Sequence, residues 1–117
     1  MYFNFDIFSR IATQAYQEAK TPYSLQEVLD VFGYFFEAYE AQMRETHPPI
    51  RREQIKRIID LMPFYDGISS SGVDIAPEDY PILIDSYFRT PFRNCNYRIN
   101  HFFSGDIRTM RMYEELY

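Results

Sequence analysis

Ser24 and Glu27 stand three residues apart at the head of an apolar stripe of Leu25, Val28, Leu29, Phe32, Phe35, Phe36, Tyr39 and Met43. Steps of three and four along such a stripe fit an α-helix and no strand. A serine followed three residues later by glutamate is the reciprocal cap that starts a helix, because each side chain accepts from the other's backbone N–H. The pattern predicts a helix from Leu25 to about Thr46. A helix of that length with one apolar face needs a surrounding core, and this constrains the rest of the 117-residue chain.

Proline marks divide the remainder. Thr21-Pro22, His47-Pro48-Pro49, Met62-Pro63 and Thr90-Pro91 are expected helix boundaries, since the residue before proline is pushed out of the α region. Residues 4 to 19 place Ile7, Phe8, Ile11, Ala15 and Ala19 at helical steps, with Asn4 as the cap. Arg51 to Leu61 carries Ile55, Ile58, Ile59 and Met62 on one side, with Arg52 and Lys56 opposite and Glu53 and Arg57 spaced to pair. A fourth helix runs from Pro77 or Asp79 to Phe88, with Pro81 in its first turn. The last segment, Asn96 to Tyr117, is read as two helices broken at Gly105, Ser104 or Asp106 capping the second. Asp66 to Gly72 reads as a turn and linker, and Val73-Asp74-Ile75 is the sole stretch with strand character. The expected fold is all-α: one domain, 1–117, a compact orthogonal bundle of five to six short helices.

Composition narrows the function classes. Apolar residues make up 46% and charged residues 25%, the balance of a packed globule. No apolar run is long enough to span a bilayer. Met1-Tyr2-Phe3-Asn4-Phe5-Asp6 lacks the basic and apolar regions of a secretion signal, so a cytoplasmic location is expected, with no membrane partner. Cys95 is the one cysteine, which excludes an intrachain disulfide. There is no HExxH, no CxxC and no glycine-rich phosphate loop. Cys95, His101 and Asp106 are the closest mixed cluster, and a Cys95–His101 dyad lacks an evident third residue to orient the imidazole. His47, before two prolines, reads as an exposed turn histidine; His101, beside Phe102 and Phe103, as a half-buried, hydrogen-bonded one. Neighbouring carboxylates at Glu78-Asp79 and Glu114-Glu115 do not share a helix face and form no acid–base couple. The expectation is a protein that is not an enzyme and takes no metal or cofactor.

Binding surfaces are better supported. The net charge is −5, and it is segregated: residues 1 to 43 and 61 to 88 are acidic, residues 44 to 60 and 89 to 117 basic. Glu27, Asp30, Tyr34, Glu37 and Ala41 share a face of the long helix, with Glu40 beside them. This acidic stripe predicts a docking surface for a basic partner protein, including one whose groove normally holds nucleic acid, because spaced carboxylates imitate a row of phosphates. Such a module acts as a regulator or inhibitor and suits a mobile element or phage. A second surface is basic. Arg51, Arg52 and Lys56 open the third helix; Arg89, Arg93 and Arg98 bracket Phe92 and Tyr97; Arg108 and Arg111 follow. Arginines interleaved with rings suit single-stranded nucleic acid, guanidinium to phosphate and ring to base. With 19% aromatic residues an uncovered apolar patch is expected, and an isologous homodimer would cover it.

Ile99, Phe103 and the run Gly105-Asp106-Ile107-Arg108-Thr109 resemble the signature of DnaD-like domains of bacterial primosome and phage replication proteins. Cys95 stands at the position of that family's tyrosine, with Tyr97 close by, and Phe103 at that of its tryptophan. The similarity covers residues 34 to 109. The resemblance implies a helical replication accessory protein that contacts single-stranded DNA and a helicase or initiator, with Ile99, Phe103, Ile107 and Arg108 as the residues carried over, most of them structural.

Overall fold

The computed structural model describes residues 4–63, 75–104 and 107–116. The chain is all-α, with no strand among the described residues. Helices α1 (Phe5–Glu18), α2 (Leu25–Met43) and α3 (Arg52–Leu61) are followed by a 3-10 turn at Pro77–Asp79 that feeds α4 (Tyr80–Arg89), then α5 (Ile99–Phe102) and α6 (Ile107–Leu116). The expected turn at Asp66 to Gly72, the Val73-Asp74 pair and the Gly105-Asp106 break lie outside the described residues. Ile75 is tied to the end of α3 by one backbone bond, its N–H donating to the Pro63 carbonyl at 2.7 Å.

The local signals explain the helix starts. Asn4 Oδ1 accepts from the backbone N–H groups of Asp6 at 2.8 Å and Ile7 at 3.2 Å, satisfying two of the donors a helix start leaves open. At α2 both halves of the reciprocal cap form: Ser24 Oγ accepts from Glu27 N–H at 3.1 Å, and Glu27 Oε1 from Ser24 N–H at 2.8 Å. The helix ends short of Thr46 because Arg44 adopts a left-handed φ of 57°, which the α-helix cannot continue. Pro81 falls in the first turn of α4, where its missing N–H costs nothing. The final helix pair starts later than Asn96: Tyr97 has a φ of 56° and Arg98 is extended, so α5 begins at Ile99.

α1 packs on α2 and α3, α2 on α4, and α4 on α6. The buried side chains form one cluster, centred on Phe32, Phe35, Tyr39, Tyr80, Tyr87 and Phe102. Its rings meet at angles, as at Phe8–Phe32 (65°) and Tyr87–Phe102 (66°), the edge-to-face geometry that ring quadrupoles favour. On α3 the i,i+4 ion pair is Lys56–Asp60 at 2.8 Å; Glu53 and Arg57, expected to pair, form no ion pair among the described residues. No helix among the described residues is long and apolar enough to cross a membrane.

The C-terminal end of α3 is buried, and its carbonyls are met by side chains from three other segments. Arg108, only 3% exposed, donates from Nη1 to the Leu61 carbonyl at 2.5 Å and to the Tyr80 hydroxyl at 2.9 Å. Tyr80 in turn donates to the Met62 carbonyl at 2.6 Å. Tyr23, from the α1–α2 connection, donates to the Ile75 carbonyl and lies 3.3 Å from that of Met62. The Arg108 guanidinium stacks over Phe103 at 5.2 Å. Arg108→Met keeps the length of the side chain and removes its donors. The expected outcome is a loss of about 2–4 kcal/mol, the cost of a charged hydrogen bond plus an orphaned buried carbonyl, read as a lower urea midpoint at unchanged slope. A loss below about 0.5 kcal/mol would show that this contact holds nothing together.

Candidate functional site

The acidic residues of α2 form a continuous face. At 100° per residue Glu27, Asp30, Tyr34, Glu37 and Glu40 span roughly 140° of the helix, and each edge of that face opens on a groove. Along one edge α2 runs beside the 3-10 turn and α4. There Glu27, Asp30, Val31, Tyr34, Pro77, Glu78 and Pro81 line a groove of about 330 Å³. Its floor is apolar, and three exposed carboxylates, Glu27, Asp30 and Glu78, stand on its rim. Along the other edge Glu37 and Glu40 face a groove of about 220 Å³ shared with Phe5, Phe36 and His47.

Tyr34 closes the first groove at one end. Its hydroxyl lies 2.9 Å from both carboxylate oxygens of Asp85, clipping α2 to α4. Burial, then the Asp85 carboxylate, raises the Tyr34 pKa, so the phenol keeps its proton and donates. Beyond this clip the seam widens again between Ala38, Gln42, Phe88 and Arg89. Glu27 also caps α2, and Asp30 Oδ1 accepts from Gln26 Nε2 at 2.8 Å. None of Glu27, Asp30, Glu37, Glu40 and Glu78 forms an ion pair among the described residues.

The basic surface is largely spent internally. Arg52 pairs with Glu18, Lys56 with Asp60 and Arg89 with Glu115. Arg111 pairs with Glu114 at 2.8 Å and donates to Thr90 Oγ1 at 2.7 Å. Two expected nucleic-acid contacts need correction. Arg108 is buried at the end of α3, where its guanidinium supplies a donor to a carbonyl that the helix terminus leaves open. Tyr97, expected as a stacking ring, turns inward: its hydroxyl donates to the Thr90 carbonyl at 2.7 Å and accepts from Phe92 N–H at 2.9 Å, and its ring stacks on Phe88. Arg51, Arg93 and Arg98 are exposed and form no ion pair among the described residues.

The structure brings Cys95 and His101 together. Cys95 Sγ lies 3.2 Å from His101 Nδ1, and the third member is the phenol of Tyr87, 2.7 Å from the same nitrogen. His101 is half-buried and hydrogen-bonded, as its aromatic neighbours suggest. Tyr87 was not legible as part of this cluster: it lies in the apolar stripe of α4, and no local signal marks a stripe tyrosine as polar. Asp106 lies outside the described residues, and no group of three metal-ligating side chains occurs among the described ones. No protein-family model, no curated protein and no solved structure matches the chain.

His47 contradicts the expected exposed turn. It is 3% exposed, in contact with the rings of Phe36 and Tyr39 at 5.0 and 4.7 Å. Nδ1–H donates to the Pro48 carbonyl at 2.8 Å, and Nε2 accepts from the backbone N–H of Ile99 at 3.0 Å. These two bonds require the neutral ring. Burial lowers its pKa from 6.5 to about 4, against the Pro48 bond. Because the unfolded chain takes up the proton first, stability is fully present above pH 6.5 and falls as pH drops towards 4. The expected slope is about 1.4 kcal/mol per pH unit in that window. His47→Gln keeps an acceptor and cannot titrate, so the stability difference between parent and variant should shrink as pH falls from 6.5 to 4. A difference constant across that window, measured by urea denaturation, would refute the assignment.

Proposed function

We propose that this chain is a small, non-catalytic interaction module that regulates or inhibits a partner protein, docking a basic surface of that partner on the acidic face of α2. One observation carries the reading. The carboxylates of this face have no cationic partner among the described residues, whereas Arg52, Lys56, Arg89 and Arg111 are paired elsewhere and Arg108 is buried. The apolar floor of Val31, Pro77 and Pro81 beneath the Glu27, Asp30 and Glu78 rim suits an arginine or lysine, whose aliphatic stem buries while its charged end meets carboxylates. A nucleic-acid-binding protein offers such side chains in the groove it builds for phosphates. A mobile-element or phage setting, a cytoplasmic location and self-association through exposed Phe5, Ile7, Ile82 and Met110 belong to the same proposal.

The other reading, a replication accessory protein of DnaD-like kind, rests on Arg51, Arg93 and Arg98. Fluorescence anisotropy separates the two. A labelled arginine-rich peptide should bind the folded chain, weaken as salt rises, and lose at least about tenfold in affinity on Asp30→Lys combined with Glu37→Lys, with an unchanged thermal midpoint. Glu27 is left in place because it caps α2. Peptide binding that survives the charge reversal overturns the docking face. Salt-sensitive binding of a single-stranded oligonucleotide, lost on Arg93→Ala with Arg98→Ala, establishes the DNA reading instead.

A further inference from the structure

We propose that Cys95 is a nucleophilic thiol with His101 as its base, a site of covalent modification by organic hydroperoxides. The site lies on the α4–α5 side of the molecule and owes nothing to the docking face. Cys95 is half-buried rather than enclosed. Its sulfur is 3.2 Å from His101 Nδ1, within reach of direct proton transfer. Two further groups face the same sulfur: the backbone N–H of Tyr97 donates to it at 3.1 Å, and the Tyr87 hydroxyl lies 3.5 Å away. Burial, then the neighbouring Cys95, pushes the Tyr87 pKa far up, so this phenol keeps its proton and remains a donor. The Tyr87 hydroxyl also lies 2.7 Å from Nδ1. Once that nitrogen holds the thiol proton it can only donate, so the phenol oxygen accepts from it and the Tyr87 O–H is released to join the imidazole N–H and the Tyr97 N–H around the charge left on sulfur. Three donors around one developing anion are what an activated thiol needs.

The strained backbone at the site serves this arrangement. Asn94 and Tyr97 both hold a left-handed φ of 56°, a conformation that a side-chain-bearing residue adopts at a cost. The second of these turns aims the Tyr97 N–H back at the sulfur two residues earlier. The Phe92 ring packs on Tyr87 at 5.3 Å and on His101 at 5.4 Å, so one wall of the site is apolar.

The neighbouring base selects the electrophile class. A halide leaves without a proton, whereas an alkoxide leaving from a peroxide needs one, and His101 holds the proton it has just received. The thiolate attacks the terminal peroxide oxygen, a sulfur–oxygen bond forms and the O–O bond breaks. The alkoxide takes the imidazolium proton and departs as an alcohol. Sulfur is oxidised by two electrons to the sulfenic acid and the peroxide is reduced. The chain has no second cysteine to condense with it. Restoration therefore requires two external thiols: the first forms a mixed disulfide with loss of water, and the second displaces the Cys95 thiol and leaves as the disulfide of the two. The modification is stoichiometric, not a turnover.

Because Cys95 is the one cysteine, a sulfenic-acid trap on the full chain reports this site alone. Cumene hydroperoxide is added at neutral pH with dimedone present, and labelling is followed by intact mass. The folded chain should label on the order of tenfold or more faster than the same chain in urea, and His101→Gln should remove that advantage. Tyr87→Phe should remove part of it. Equal rates for folded and unfolded chain, or an undiminished rate in His101→Gln, overturn the proposal. Should His101→Gln not fold, the folded-against-unfolded comparison of the parent decides alone.

Discussion

The buried end of α3 is the interaction on which the rest of the architecture depends. A helix terminus leaves carbonyls without intrahelical donors, and at the end of α3 side chains from elsewhere in the chain supply them. Donors arrive from separate parts of the chain: Tyr80 from the first turn of α4 and Arg108 from α6 reach the α3 carbonyls, and Tyr23 from the α1–α2 connection reaches the adjacent Ile75 carbonyl. A cation beside the negative end of a helix adds a favourable dipole interaction. Desolvation raises the Tyr80 pKa to about 12 even against the nearby arginine, so the phenol remains a donor throughout the physiological range. A node of this kind holds only when complete, since any missing donor leaves a buried carbonyl unpaired.

What could be read from the sequence follows from the range of each interaction. Asn4, the Ser24–Glu27 cap and the first-turn position of Pro81 act within a few residues, and each is legible where it stands. The stripe from Val28 to Tyr39 shows which face of α2 is buried because a helix repeats its own geometry. His47, Tyr97 and Arg108 are different. Their partners are Ile99, Thr90 and Leu61, and for His47 and Arg108 these lie about half the chain away. Nothing in a Pro-flanked histidine announces that a backbone N–H from another segment will use its ring nitrogen. The candidate site divides in the same way. The α2 carboxylates share a face by periodicity alone, whereas the Pro77–Pro81 wall that makes a groove of them comes from tertiary packing.

The fate of the arginines shapes the surface. Arg108 and Arg111 are buried, and Arg52 and Arg89 are each held by a carboxylate. Guanidinium suits this interior use because it stays charged and forks towards several acceptors at once. Burying Arg108 and Arg111 withdraws two positive charges from the exterior, and pairing Arg52 and Arg89 with Glu18 and Glu115 leaves fewer cations to offset the α2 carboxylates. The acidity of the outer face is thus a consequence of how the core satisfies its polar groups, and not of composition alone.

Placing Glu27, Asp30, Glu37 and Glu40 on a single helix face carries a cost. Like charges three residues apart on a helix repel by a few tenths of a kcal/mol per pair, and lysines interspersed among them would remove the penalty. The fold receives little in return: of the four, Glu27 caps the helix, and Asp30 accepts from Gln26 on the same helix. The Glu37 and Glu40 side chains form no ion pair among the described residues. Stability therefore does not explain the face. Screening confines its field to about 8 Å at physiological ionic strength, so on the proposed docking reading the face orients only the last step of a partner's approach. On the same reading the apolar floor between Val31 and Pro81 supplies the contact that charge alone cannot, because salt weakens the carboxylates' pull and leaves apolar burial intact.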